Sequence, residues 1–296
     1  MQKKKIIVDF DNTFTLEGYD LDDIIALLYL LTSENVEVPF VTTTFGNSSL
    51  ENVNKCTENF LKLTGAKLKI ISGNPLKLNL TKSEKIKYAE TNKAAKEIIN
   101  YIEKFPNEVS LLALGSLHNL ADVFLLSPNT VKKIKSFTAM GGTTAPLIFN
   151  KTKMDELNFS VDYEASHLVL SNYPEPNIIT GNNCIEHYYM IDNFNFAPKT
   201  KIINILHQPI LRWLKFFEKE FDFKGNVLWD VIAAMYLVEE NRFTNEVLSF
   251  ELLPEQLKTG SLVQSENGTK LNLPKLKKDK NLYEKIFTQV SRFECF

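Results

Sequence analysis

Apolar positions along the chain fall into short β-branched runs that alternate with longer segments of helical period. Lys5–Asp9 is a short, continuously apolar run ending in acids, the pattern of a buried strand. Asp22–Thr32 is apolar on most faces and opens with two acids, which predicts a buried helix with carboxylates in its first turn. Val36–Thr44 predicts a second strand, with Pro39 marking an edge or an early position. Leu50–Thr64 is amphipathic and stops at Gly65, and Leu68–Ser72 predicts a third strand. Ser83–Lys104 has one long polar-rich helical pattern. Val109–Leu114 predicts a strand, Asn119–Leu126 a helix closed by Ser127-Pro128, and Ile134–Met140 a strand ending at Gly141-Gly142. Tyr163–Ser171 follows as a helix and Asn177–Thr180 as a strand. Helices are expected at 205–222 and 230–241, and a late strand at Val247–Leu252. The Lys- and Asn-rich last third has no clear period.

Strands alternating with helices, without an internal repeat or a low-complexity linker, predict an α/β protein. The expectation is a single Rossmann-like domain over 1–296, with a mostly parallel central sheet and helices on both faces. In such sheets ligands bind beyond the carboxyl ends of the strands. The polar clusters Asp9/Asp11, Gly46-Asn47, Gly115-Ser116 and Gly141-Gly142 stand there.

Composition narrows the function classes. Lys plus Arg total 34 against 36 acids, a net charge of -2, so no basic surface points to nucleic acid or to a membrane. Cys56, Cys184 and Cys295 are far apart and odd in number, which fits neither a disulfide framework nor a metal spacing. The apolar run after the basic first residues is too short for a signal-peptide core, and no run reaches membrane-span length. A cytoplasmic, soluble protein with a small-molecule substrate is expected, assembled as a homodimer or a homotetramer.

Asp9, Asp11, Asp20, Asp22 and Asp23 fall within fifteen positions. Clustered carboxylates repel and need a cation or protons, and hard oxygen ligands favour calcium or magnesium over zinc. First-turn helix acids explain Asp22 and Asp23, but not Asp9 and Asp11 at the end of a buried strand.

Two families resemble this region. VDFDNT is similar to the first motif of haloacid-dehalogenase-type phosphatases, which implies Asp9 as nucleophile, Asp11 as acid/base and magnesium as cofactor. Ile70-Ile71-Ser72-Gly73-Asn74 resembles their second motif. Their later acidic strand end is absent, because Val109–Ser116 ends in Gly-Ser. Nucleoside hydrolases of the inosine-uridine type match more of the chain. Asp9, Asp11, Asp22 and Asp23 resemble their D-x-D-x-G-x-D-D pattern. TTTFGNSSLENV (42–53) resembles T-x-x-x-G-N-x-x-L-E, and ALGSLHNLA (113–121) resembles G-P-L-T-N-L-A. AMGG (139–142) matches a strand end of that family. Asn150 with ELNFSVDYEA (156–165) resembles N-x5-E-F-N-x-x-x-D-P-E-A, and WDVIAAMYLV (229–238) resembles the late H-D-P-L-A helix. All stand in family order.

That resemblance implies hydrolysis of the N-glycosidic bond of ribonucleosides to ribose and free base, by a calcium-activated water, within purine metabolism and nucleoside salvage. It implies Asp11 as general base and calcium ligand. Asp23, Asp230 and the backbone carbonyl of Leu114 would complete the Ca2+ site. Asp22, Asn150, Glu156 and Asn158 would bind ribose hydroxyls, with Asn47 on the same wall. Each residue also has a plainer reading. Asn47 suits a turn, Glu156 and Asn158 alternate as in a half-buried strand, and Asp230 suits a helix N-cap.

Three departures mark this chain. Eleven positions separate Asp11 from Asp22 where the family pattern has four, so Asn12–Leu21 forms an added loop that brings Asp20 or Glu17 to the site. The family's H-G-x-x-G-L flap has no counterpart in 75–95. Trp229 replaces the histidine before the last acid, so a stacking role on the departing base is expected for it. A non-catalytic member that only binds a ribosyl ligand is the remaining alternative.

Overall fold

The computed structural model describes residues 3–77, 80–190 and 199–295. Its centre is a ten-stranded mixed sheet. Seven neighbouring strands run parallel, in the order Ile70–Ser72, Val41–Thr43, Lys4–Phe10, Val109–Ala113, Ser136–Met140, Asn177–Ile179 and Thr269–Asn272. Val247–Glu251 and then Val263–Gln264 extend it antiparallel. The expected fold class is the one observed: α/β, with a mostly parallel sheet covered by helices on both faces.

Alternation along the strands builds two cores. Ile6, Val8 and Phe10 pack with Leu112 and the helices Asp22–Leu31, Lys201–Phe221 and Trp229–Val238 on one face. Ile7, Leu111 and Ala113 pack with the helices Lys93–Lys104, His118–Leu126 and Tyr163–Asn172 on the other. The two-residue side-chain period thus makes one strand serve both layers.

The structure corrects several expected elements. Val36–Thr44 is two strands, Val36–Glu37 and Val41–Thr43, both parallel to Lys4–Phe10. Lys4 pairs with Val36 but Val8 pairs with Val41, so one extra residue bulges at Val38-Pro39-Phe40, where Pro39 has no N–H to donate. Ser83–Lys104 is two helices, Lys82–Ala89 and Lys93–Lys104. Thr81 caps the first, and the side chain of Asn92 accepts the Ala95 N–H at 3.1 Å to start the second. Helices expected at 205–222 and 230–241 run over Lys201–Phe221 and Trp229–Val238. Neither Glu156 nor Asn158 is in a strand: Glu156 stands in the loop after Thr152–Met154 and Asn158 in the turn that follows. Among the described residues no helix is long and apolar enough to cross a membrane.

Candidate active site

The first parallel strand delivers Asp9 and Asp11 to the carboxyl edge of the sheet, beside Thr43 and Ala113. Asp11 is completely buried. Two glycines make room for it. A Cβ at Gly46 would stand 1.9 Å from Asp11 Oδ2, and one at Gly115 would stand 2.8 Å from its Cγ. The glycines of the Gly46-Asn47 and Leu114-Gly115 motifs are therefore demanded by the carboxylate they enclose. Asn47 then binds it, its backbone N–H donating to Asp11 Oδ2 at 2.6 Å.

Helix Asp22–Leu31 starts at the same edge and places Asp22 and Asp23 in its first turn, where the helix dipole favours negative charge. Asp23 Oδ1 accepts the Asp11 N–H at 3.3 Å, while its Oδ2 is buried without a hydrogen-bond partner. Asp22 Oδ2 accepts the backbone N–H of Asp230 at 3.0 Å, which ties this helix to the late helix Trp229–Val238. The added loop brings in Asp20, whose Oδ1 accepts from Asn47 Nδ2 at 2.9 Å and Thr13 Oγ1 at 3.3 Å. One carboxylate oxygen from each of Asp20, Asp22 and Asp23 lies within 4.8 Å of the others, a group that could hold a metal ion. Glu17 is exposed.

Burial and mutual repulsion set the protonation of this cluster. Burial, with the charge of Asp20 next, pushes Asp11 up to about 8. Burial pushes Asp20 up to about 6 against the hydrogen bonds from Asn47 and Thr13. Asp22, Asp23 and Asp230 are raised well above the carboxylate range, first by burial and then by one another and their acidic neighbours.

A cavity of about 240 Å³ opens onto the cluster. Asp20, Asp22, Asn47, Leu114, Glu156, Asn158, Trp229 and Asp230 all line it. Asp11 and Asp23 stand behind that wall. Asn158 Nδ2 donates to the carbonyls of Leu114 and Met140, each at 3.1 Å. Glu156 is half-buried and accepts backbone N–H groups of Phe159, Ser160 and Gly142 at 2.8, 3.0 and 3.1 Å. Its burial raises it, and those donors oppose the rise. Gly260, at φ +65, leaves space for it, since a Cβ there would meet Glu156 Oε2 at 1.9 Å.

Asn150 is not brought to the cavity. It is exposed, sits at φ 52 in the turn between the short strands Leu147–Phe149 and Thr152–Met154, and donates to the Asp222 carbonyl. That hairpin, which sequence reading missed, turns Asn150 away while its next strand leads Met154 into the cavity wall. Asp9 also lies off the cavity. Its Oδ1 accepts from Thr42 Oγ1 at 2.6 Å and Asn119 Nδ2 at 2.8 Å, and burial raises it to about 7. His118 lines a separate cavity of about 480 Å³, with Nδ1 2.7 Å from Asp162 Oδ2.

A further cavity of about 260 Å³ adjoins the first through Asp20, Asn47, Met154 and Trp229, and is walled by Tyr19, Trp213, Phe216, Phe217 and Phe221. Sequence reading missed Trp213 and Phe216. Their helical spacing marks a buried stripe, but does not say which part of it faces a cavity.

This arrangement can be set beside known proteins. The sequence pattern described as "Inosine-uridine preferring nucleoside hydrolase" matches residues 6–290. The chain belongs to this family. It is a hydrolase of nucleoside N-glycosidic bonds by family and fold. A relative from Oryza sativa subsp. japonica, named "Probable uridine nucleosidase 1", is 25% identical over 274 residues, 82% of this chain and 79% of its own. The Leishmania major "Inosine-uridine preferring nucleoside hydrolase" is 25% identical over 290 residues, covering 88% of this chain and 87% of that one. In fold, the chain is similar to a solved purine-preferring ribonucleoside hydrolase from Gardnerella vaginalis. The TM-score is 0.81 at 18% identity, over 97% of this chain and 98% of that one. Within this nucleoside hydrolase fold, the phosphatase alternative loses its nucleophile, because Asp9 is sequestered by Thr42 and Asn119 away from the cavity.

Proposed function

We propose that this nucleoside hydrolase cleaves ribonucleosides to ribose and free base, with a calcium ion held by Asp11, Asp23, Asp230 and the Leu114 carbonyl. The observation that carries this reading is a cluster of carboxylates at one edge of the sheet: Asp22 and Asp230 line the cavity and are joined by a hydrogen bond, and behind them Asp23 lies with Asp20 and Asp22 and accepts the Asp11 N–H. The donor set suits a hard cation: every candidate ligand is oxygen, and Asp23 Oδ2 is buried without a partner. Of these ligands Asp23 belongs, with Asp20 and Asp22, to a group whose oxygens lie within 4.8 Å of one another and can share one ion, since two Ca–O bonds of about 2.3–2.6 Å reach that far. A bound divalent cation lowers the pKa of water and so supplies a nucleophile at neutral pH.

The chain's own groups do the rest. Asp11, oriented by the Asn47 N–H, takes the water's proton. The carboxylates stabilise the positive charge that develops on the sugar as the base departs, as in other glycosidic cleavages. Asp22, Asn47, Glu156 and Asn158 bind the ribose hydroxyls from the cavity wall. Asn150, turned into its hairpin, is left out of this set. No histidine lines the cavity among the described residues, so the base is held by Trp229 and leaves without a histidine acid. Relatives and fold neighbours named for uridine, inosine-uridine and purine substrates keep both base classes open. A panel of purine and pyrimidine nucleosides, read by released reducing sugar with and without a chelator, tests the proposal. Sugar release that stops on chelation and returns with calcium is expected. Ligand-induced stabilisation without product would instead mark a binding protein.

A further inference from the structure

We infer that Asp20 is an additional ligand of the same cation, and that the ion thereby latches the added loop Asn12–Leu21 as a lid over the leaving-group pocket; this rests on the calcium reading above. The family pattern has no place for Asp20, which exists only because seven residues are inserted between Asp11 and Asp22. Yet the structure places its carboxylate with those of Asp22 and Asp23, within 4.8 Å. Asp23 contributes the independent sign of a missing partner: fully buried, with Oδ2 bonded to nothing. Asn47 and Thr13 orient Asp20 towards its neighbours rather than neutralising it, since neither carries a charge. Ionised together, three carboxylates so placed repel one another, and Asp20 is the one that stands on a loop rather than in a helix.

The loop's attachments are uneven. Its first part is anchored by Phe14, buried edge-on against Phe60 at 5.6 Å. Its tip is open: Thr15, Glu17 and Tyr19 are exposed, and Gly18 rests against the Phe216 ring at φ +80. Gly18, Tyr19 and Asp20 together wall the aromatic cavity beside Trp229, Trp213 and Phe216. The stretch 75–95 lacks the family's flap motif, and the added loop is the part of the described chain that stands with Trp213 and Phe216 at the aromatic side of the cavity. Cation binding at Asp20 removes the repulsion that would lift the tip, and so closes this wall when the site is charged for reaction.

Calcium titration of the chelator-stripped full chain, followed by calorimetry and by amide hydrogen exchange of residues 12–21, tests this. Calcium should slow exchange at the loop tip in the native protein. Asp20→Asn should weaken calcium binding about tenfold or more, as loss of a charged ligand does, and abolish the loop protection. Glu17→Gln, on the same loop but exposed, should change neither. Equal calcium affinity and equal loop protection in native protein and Asp20→Asn would overturn the latch while leaving the calcium reading intact. Absence of calcium binding by the native protein would overturn both.

Discussion

Asp22 Oδ2 accepts the backbone N–H of Asp230 at 3.0 Å, across 208 positions of sequence. One acid therefore both joins two helices of the core and adds to the repulsion of the cluster.

The two roles can be separated by Asp22→Asn. The amide oxygen still accepts the Asp230 N–H, so no buried donor is orphaned, which would cost about 1–3 kcal/mol. The substitution removes a group whose ionisation is opposed by burial and by Asp20 and Asp11, and with it the cost of protonating that group or holding it charged in the folded state. Chelator-treated Asp22→Asn should therefore unfold at a higher temperature than chelator-treated native protein, by roughly 2–4 °C per kcal/mol gained. Nucleoside turnover should fall sharply. A lower melting temperature in chelator would show that the carboxylate's charge stabilises the fold without an ion.

Asp11 and Asp9 make a second comparison. Asp11→Asn should reduce sugar release by about 10²–10⁴ through loss of the base alone, with the fold kept by its enclosing glycines and the Asn47 N–H. Asp9→Asn should cost far less turnover, because Asp9 serves Thr42 and Asn119 rather than the cavity. Its cost should appear as stability. If Asp9→Asn proves the more damaging to turnover, the assignment of the base is wrong.

How much of this was legible in the sequence follows from the range of each signal. Parallel strands buried on both faces are continuous apolar runs, so Lys4–Phe10 and Val109–Ala113 stood out. The acidic pair of the first helix did too. The bulge around Pro39 did not, because a one-residue slip shows only in the pairing. Asn150 was misplaced because the strands flanking it, Leu147–Phe149 and Thr152–Met154, are too short to carry a period. The role of Gly260 depends on Glu156, 104 positions away in sequence and touching only in the fold.

His118 gives a pH signature outside the carboxylate cluster. Burial lowers its pKa, but the hydrogen bond to Asp162 at 2.7 Å, with the charges of Asp162 and Asp122, outweighs that and leaves it raised. A histidine raised on folding stabilises fully below its unfolded value of about 6.5, and that contribution is lost as pH rises through the folded value. The stability difference between native protein and His118→Gln, from urea denaturation, should therefore be larger at pH 6 than at pH 9, limits chosen about that range. A difference independent of pH would mean that the pair acts only as a neutral hydrogen bond.

Trp229 stands where many members of the family carry a histidine, and indole has no proton to give a departing base at neutral pH. Its ring borders both the ribose-side cavity and the aromatic one, and it packs edge-on against Phe149 at 6.1 Å and 87°. On the proposed function, stacking there would hold a base while solvent protonates it, which would favour the larger purine ring. A stacked base contributes about 1–3 kcal/mol, so Trp229→Ala should lower kcat/KM for purine nucleosides by roughly 5–150-fold, the same energy expressed as a rate. Pyrimidine nucleosides should lose less, and inhibition by free ribose should not change. Trp229 is also 94% buried by its 6% exposure, and truncating a buried tryptophan costs about 3–5 kcal/mol of stability. Trp229→Phe guards against that confusion, because it keeps an aromatic face and most of the packing. It should retain most purine turnover and melt near the native protein. Equal losses for purines and pyrimidines in Trp229→Phe, with ribose inhibition weakened as well, would assign Trp229 to packing of the cavity wall and not to the base.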